Sequence, residues 1–484
     1  MENIYKKWIT FMLVLIWVSM GLFLEIGGPT MIDLRIRFNC TSEDVARSVS
    51  AQGFGIFIGA LIGGSTVDAM GSWRFLLVTA SVAMASLAVM AMPFYINLTF
   101  LWFMFLITGG AAGLINVAGQ RILLELWRDK VASPMHAMHM GFGIGALISP
   151  LIINPFLAVL QFKDTSELTN TTSYPDQEFI VLQESRVQYA FVTIAICAAV
   201  LGSPFFVFPF VKCWRGGRDG YDHMDGKPET QSASSGRTRR FLDAINPASY
   251  AGGDFKYGLT VFIIILILYM NLVGGEQLFG NFIRTFSVDE LKFPRNEASY
   301  LDTVYWGCFT LGRFTGSVLA NCVSIRKLFI MDLFLNLTAI TLADIFATRN
   351  QSTLWAFTAI VGFFIAPLFP AGISYINTQI EVSGLVLTLV VFASGFGHLF
   401  YTWVEGALYE SYGPRTILYA MQFSSIFVCL IALVFVAISF KRGDRLKDLE
   451  QNLVVNSKGD DSTISADMGY TQLDQTSIST QSED

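Results

Sequence analysis

Charge is scarce in this chain. Of its 484 residues only 14% are Asp, Glu, Lys or Arg, where a soluble domain carries roughly a quarter. A chain this long would otherwise suggest about three soluble domains, but its polar groups are too few to cover several water-soluble globules. A soluble enzyme, a nucleic-acid-binding protein and a disordered scaffold are excluded on that ground. Cysteine is sparse as well, with six residues. Only Cys40 lies clearly outside the apolar stretches on the expected outer side, so no disulfide framework is available and reduced thiols are expected. A nucleotide-binding loop, a metal-ligand cluster and a nucleophile motif are missing too. Neither major loop is long enough to fold as a catalytic domain, so no enzymatic activity, cofactor or metal is expected. The net charge of −6 says little, because the acids concentrate in the tail and loops.

What the chain has is apolar surface. Hydrophobic residues make up 53% of it and Phe alone fills 42 positions. Runs such as Leu259–Leu268 and Phe427–Phe440 need a non-aqueous solvent. A helix crossing the hydrocarbon takes about 20 mostly apolar residues, since every backbone polar group must be bonded internally. Twelve such spans are expected. In the first half they are Trp8–Gly28, Ser48–Val67, Phe75–Pro93, Phe100–Gln120, Met138–Leu160 and Tyr189–Val211. The second half offers Tyr257–Ile283, Leu301–Val323, Leu328–Ala347, Thr353–Asn377, Leu385–Val404 and Thr416–Phe440. Lys6 and Lys7 before the first run suggest a signal peptide, but the run is long and no small-residue cleavage site follows it. It reads as an uncleaved first helix.

Orientation follows the Lys and Arg bias. With both termini cytoplasmic, most basic residues fall in inner segments, above all between spans six and seven and in the tail. The sequons at Asn39, Asn97, Asn170 and Asn350 then all lie in outer loops, where glycans are added; Asn97 sits close to the membrane, and Asn39, Asn170 and Asn350 are the expected acceptors. A further sequon at Asn336 lies inside a span and should go unused. The domains expected are a first six-helix bundle over residues 1–211, a basic linker over 212–255, a second six-helix bundle over 256–440 and a polar, disordered cytoplasmic tail over 441–484. The linker is rich in Gly, Ser and charge and cannot bury enough apolar surface to fold alone. Its Arg237, Arg239 and Arg240 suit the anionic inner leaflet.

After the second span the chain reads Gly64-Ser-Thr-Val-Asp68-Ala-Met-Gly71-Ser-Trp-Arg74. The glycines permit close helix contact and a tight turn, the aspartate can face a helix N-terminus, and the arginine can pair across a gate. Polar groups within spans come next, because each costs a few kcal/mol unless it faces the protein interior or water. Glu25 lies four residues before Pro29. Asn116 and Gln120 are one helical turn apart and share a face. His139 opens the string His139-Met-Gly-Phe-Gly-Ile-Gly-Ala-Leu-Ile-Ser-Pro150. Glu276 and Gln277 sit in Val273-Gly-Gly-Glu-Gln-Leu-Phe-Gly280, Arg313 follows Gly312, and His398 follows Gly395-Phe-Gly. Asp332 and Asp344 read as interfacial or packing residues.

Six spans, a linker and six more resemble the layout of the major facilitator superfamily, and the Gly64, Asp68, Gly71, Arg74 spacing resembles that superfamily's loop signature. The strings at His139–Pro150, Gly274–Gly280, Trp306–Arg313 and Pro367–Pro370 are similar to the sodium-dependent glucose transporter-like branch, itself similar to bacterial L-fucose–proton symporters. The resemblance implies an all-α membrane protein with two rocking bundles, and a cytoplasmic latch formed by Gly64, Asp68, Gly71 and Arg74, with Arg313 as a further gating or ion-pair residue. It also implies proton coupling at Glu25. His139 stands where those symporters have a sugar-contacting glutamine. Asn116 and His398 stand where relatives carry acids, which leaves Glu25 and Glu276 as the coupling candidates.

A hexose site needs donors and acceptors around a ring and an aromatic over its apolar face. Glu25, Asn116, Gln120, His139, Glu276, Gln277, Asn281 and Asn377 are the polar candidates. Tyr269, Trp306 and Trp403 are the aromatic ones, each of which also fits packing or lipid contact. The expected function is secondary transport of a monosaccharide such as glucose, coupled to Na⁺ or H⁺, by a plasma-membrane monomer whose other partner is the lipid bilayer. An uncoupled facilitator, a carrier of a non-sugar solute and a transporter-like receptor remain open readings.

Overall fold

The computed structural model describes residues 2–67, 70, 73–127, 132–162, 179–183, 185–207, 246–320, 322–443 and 445. Asp68, Gly71, Asn170, Cys213, most of the expected linker and nearly all of the expected tail lie outside the described residues. The first half builds α1 (Glu2–Leu24), α2 (Gly27–Phe38), α3 (Ser42–Thr66), α4 (Arg74–Ala91), α5 (Leu98–Trp127), α6 (Ala132–Ile153) and α7 (Val187–Gly202). The second half builds α8 (Phe255–Leu291), α9 (Arg295–Leu319), α10 (Ile325–Phe346), α11 (Gln351–Ile365), α12 (Leu368–Asn377), α13 (Gly384–Tyr412) and α14 (Thr416–Arg442). The fold is helical apart from short 3₁₀ turns and one departure from the all-α expectation. Between α6 and α7, β1 (Val159–Phe162) pairs antiparallel with β2 (Phe179–Gln183) in a two-stranded ribbon.

Eleven helical stretches among the described residues are long and apolar enough to cross a membrane. The segment expected as the eighth span is helical, as α9, but is not among them. Its charged Arg295, Glu297, Asp302 and Arg313 keep its apolarity too low. Large apolar side chains such as Leu87, Val200, Leu311, Leu430 and Phe440 are exposed around the bundle. Such a periphery suits lipid rather than water.

Proline sets two breaks that shape the centre. Pro29 has no N–H to give the carbonyl of Glu25, and its ring crowds that carbonyl. The helix therefore ends at Leu24 and restarts as α2, where Pro29 sits in a first turn whose N–H groups have no partners in any case. Pro367 and Pro370 do the same between α11 and α12. Other helix starts are capped by side chains: Thr41 and Asp44 form a reciprocal cap on α3, Asn350 and Thr353 on α11, and Asp254 accepts from Tyr257 N at 3.0 Å on α8.

The two halves meet along two antiparallel helix pairs. α3 packs on α13 as well as on its neighbour α5, and α6 packs on both α1 and α9. At the α3–α13 crossing the backbones touch: a Cβ added at Gly395 would lie 2.7 Å from both Gly53 O and Phe57 N. Glycine is required there by the close approach. α8 runs the full depth of the bundle and packs on α13, α14 and α2. Residues 207 and 246 mark one end of the bundle, here the linker end; α2, β1 and the starts of α3, α9 and α11 lie at the far end.

Candidate functional site

Where the halves face each other, a cavity of about 80 Å³ is lined from both. From the first half come Met20, Leu24, Ile56, Asn116, His139 and Phe142; from the second come Val273, Glu276, Gln277, Arg313, Phe369, Val391, Ser394 and His398. A lining residue stands beside each of the two proline breaks. Leu24 closes α1 immediately before the break at Glu25, and Phe369 stands in the first turn of α12.

Glu25 lies just behind the wall, 2% exposed. Its Oε1 accepts a 3.0 Å hydrogen bond from Gln277 Nε2 on α8. Glu276, the next residue, is buried, and its Oε2 has no hydrogen-bond partner. Its Oε1 is 3.9 Å from Arg313 Nη2, a loose ion pair. Arg313 is held by other groups: Nη1 donates to His139 O at 2.9 Å, Nε to Ala366 O at 3.4 Å, and the guanidinium lies 4.2 Å from the centre of the Phe309 ring. The Ala366 carbonyl is free to accept because Pro370 cannot donate to it. His139 is buried between Trp17 and Phe369 with its Nε2 unpartnered, and His398 Nε2 is likewise buried without a partner.

Buried polar atoms nearly always find hydrogen-bond partners. Three buried unpartnered atoms, from Glu276, His139 and His398, belong to residues that line this one small cavity, a lining that suits a polar solute or water. Phe142 and Phe369 supply apolar faces beside them.

The expected residues distribute as follows. Asn116, His139, Glu276, Gln277 and Arg313 line the cavity, and Glu25 is bonded to its wall. Gln120 is fully buried one turn behind Asn116, to whose Oδ1 it donates at 3.3 Å. Asn281 is buried one turn beyond Gln277 with its Nδ2 unpartnered. Tyr269 lies behind Phe369, ring edge to face at 5.1 Å, its hydroxyl donating to Phe369 O at 3.1 Å. Asn377 is at the linker end, where its carbonyl accepts from Arg445 Nη2 at 3.4 Å. Trp306 packs in the interior against Phe142, and Trp403 is half exposed on the periphery. Gly64 sits against Thr388 of α13. Arg74 pairs with Glu125 of α5 at 2.7 Å, inside its own half rather than across a gate. Phe142, Phe369 and Ser394 had no signal as site residues in the sequence, because an apolar or hydroxyl residue on a helix names no face.

Comparison with known proteins bears on what this cavity belongs to. The sequence profile of the Major Facilitator Superfamily matches residues 257–467. The chain carries a Major Facilitator Superfamily domain. The superfamily's proteins are carriers rather than enzymes, and with its many apolar helices the chain is an integral, multi-pass membrane protein. It is 24% identical over 457 residues to a human protein named sodium-dependent glucose transporter 1, covering 92% of this chain and 83% of that one. To the zebrafish (Danio rerio) major facilitator superfamily domain-containing protein 4A it is 25% identical over 454 residues, with 86% and 84% covered. Its fold is similar to that of FucP, a superfamily transporter solved in the outward conformation (TM-score 0.57, 14% identity, 88% of this chain and 98% of that one). It is also similar to the nucleoside transporter NupG (TM-score 0.58, 12% identity, 89% and 99%).

Proposed function

We propose that this chain is a secondary transporter of a small neutral polar solute, with a monosaccharide as the first candidate, driven by a Na⁺ or H⁺ gradient. The observation that carries the reading is the Glu25–Gln277 hydrogen bond, which ties a carboxylate of one half to an amide of the other at the wall of a shared cavity. Rocking of two bundles about a central site is how this fold moves a solute. Parting the halves breaks that bond and leaves Glu25 to take up a proton or to ligate Na⁺ through its oxygens. Glu276, His139, His398, Asn116 and Gln277 offer donors and acceptors for ring hydroxyls, and Phe142 and Phe369 cover apolar C–H faces.

The same reading makes α9 the eighth of twelve spans in two six-helix bundles, residues 1–211 and 256–440, with cytoplasmic termini, linker and tail and a monomeric protein in the plasma membrane. Asn39 and Asn350 are exposed at the far end, which supports these two as glycan acceptors on the outer face; Asn170 is proposed as a third on its sequon alone. Arg313 beside Glu276 favours one further reading, an uncoupled facilitator, because it leaves Glu25 as the single acid at the cavity without a cationic partner.

The test is uptake by the purified full-length chain in liposomes, with Na⁺ and pH gradients imposed separately and unlabelled hexoses and nucleosides as competitors. Competition by a hexose and gradient-driven accumulation are expected. Flux indifferent to both gradients would select the facilitator, and competition by nucleosides alone would replace the sugar. No flux of any solute would overturn transport in favour of a receptor.

A further inference from the structure

A second buried charge cluster lies between the halves at the far end, apart from the cavity. On α2, Asp33 Oδ1 accepts from Ala158 N at 2.7 Å, and its Oδ2 is 3.6 Å from Arg284 Nη1 of α8. Both side chains are completely buried. Arg284 Nη1 also donates to Pro29 O, while its Nε and Nη2 have no partner. On α9, Asp302 is completely buried and neither of its oxygens has a hydrogen-bond partner. Arg284 and Asp302 each stand seven residues from the α8–α9 connection, between Leu291 and Arg295, and so lie level in the hairpin. The guanidinium is engaged by Asp33 of the opposite half and has two donors to spare, while Asp302 has no ion-pair partner among the described residues.

We propose that Asp302 is a proton site coupled to opening of the far end, and that Arg284 passes from Asp33 to Asp302 as the halves part. A buried carboxylate without a partner is costly, and the cost disappears when it carries a proton. With the far end shut, Arg284 serves Asp33, and Asp302 is the neutral acid. When α2 draws away from α8, Arg284 keeps its place in the second half, loses Asp33 and Pro29, and turns its free donors to Asp302. The Asp302 O–H bond then breaks, the proton passes to water at that end, and the carboxylate pairs with Arg284. Nothing is oxidised or reduced.

The ionisable groups around Asp302 fit that assignment. α11 has none, and α6 carries its own, His136 and His139, toward its other end. On α2, Arg35 and Arg37 are bonded elsewhere, to Ser42 and to Pro93 and Gln188. On α8, Asp289 accepts from Tyr409 and Glu290 pairs with Arg415. Glu25 and Glu276 lie toward the cavity. Tyr305, one turn along α9, is bonded to Glu276 O at 3.1 Å.

The proposal rests on the alternating exposure proposed above, and the test separates the two. Thr285, buried beside Met31 of α2, is replaced by cysteine in a Cys40→Ser background of the full chain. Labelling by a membrane-impermeant thiol reagent from the far side is followed against pH there. Expected is slower labelling in acid, approaching an extra tenfold per pH unit for one linked proton. Asp302→Asn, with the same reporter thiol, should label slowly and keep only the thiol's own pH slope; Asp302→Glu should restore the linked slope. Asp33→Asn should label several-fold faster and with a shallower pH slope, because Arg284 is then free to pair with Asp302 while the far end is shut. An identical slope in the Asn and parent forms overturns the proton site alone, as does a rate set by Na⁺ at fixed pH. No labelling under any condition, in a chain that elutes as a single folded species, overturns the alternating exposure as well.

Discussion

Gln277 of α8 donates a 3.0 Å hydrogen bond to Glu25 at the break between α1 and α2, joining the first and second halves of the chain through one amide and one carboxylate. The carboxylate is buried, so the bond to it is worth about 1.5–3 kcal/mol. Gln277→Leu should lower the stability of the detergent-purified protein by about that amount. Differential scanning fluorimetry measures it, and an unchanged transition would mean that Glu25 finds a substitute partner.

Glu25→Gln keeps the shape and an acceptor but loses the titratable oxygen. Accumulation against a gradient should fall to the equilibrium level, while exchange of labelled for unlabelled solute continues at a rate within about threefold of the parent. Parallel uphill-uptake and counterflow assays separate the two. Retained accumulation would remove Glu25 from coupling.

Arg313 is bonded to backbone from two elements and lies over Phe309. Arg313→Ala leaves Glu276 buried without a cation, a loss of about 3–5 kcal/mol. Adding Glu276→Gln should recover part of it, because the uncompensated charge goes too. Arg313→Lys should rescue poorly, since one ammonium cannot reach both carbonyls and the ring. Thermal stability of the three variants checks the order.

The α3–α13 crossing admits no side chain at Gly395. A methyl there meets Gly53 O and Phe57 N at 2.7 Å, so Gly395→Ala should cost about 1–3 kcal/mol through overpacking and slow transport. Gly307→Ala is the control, where an added methyl meets only the flexible end of Leu147 at 3.3 Å. Expression of monodisperse protein, followed by uptake, distinguishes them.

Burial, and the Asp44 carboxylate next to it, push the Cys40 thiol up to about 11. A raised thiol stays protonated at neutral pH, and the thiolate is the reactive form. Alkylation of Cys40 should therefore keep rising about tenfold per unit through pH 9, where an ordinary thiol near pKa ~8.5 has levelled off. Asp44→Asn should speed it. Intact-mass kinetics read both.

Much of the site was legible because an ionisable side chain within an apolar run stands out against it. Glu25, Glu276, His139 and Arg313 were singled out in that way, and all four come within reach of one cavity. The far-end cluster was not. By hydropathy the first span ends at Gly28 and the seventh at Ile283, which leaves Asp33 and Arg284 beyond them as boundary residues. In the structure α2 continues to Phe38 and α8 to Leu291, because each charge is met by a partner from the other half. A hydropathy window sees one helix at a time and cannot register that neutralisation. The same blindness explains Tyr269 and Asn377: both sit on helices that line the cavity or adjoin it, but side-chain direction within the bundle sends one behind Phe369 and the other to Arg445.

The composition of α9 bears on how the protein is made. Asp302 and Arg313 each oppose entry into lipid by about 3 kcal/mol at a helix centre, and nothing in α9 alone offsets them. Glu276, which faces Arg313, and Arg284, the cation proposed to receive Asp302, are on α8, which emerges from the ribosome first. On the twelve-span reading proposed above, α9 would enter the bilayer only together with its hydrophobic predecessor, the two as a hairpin.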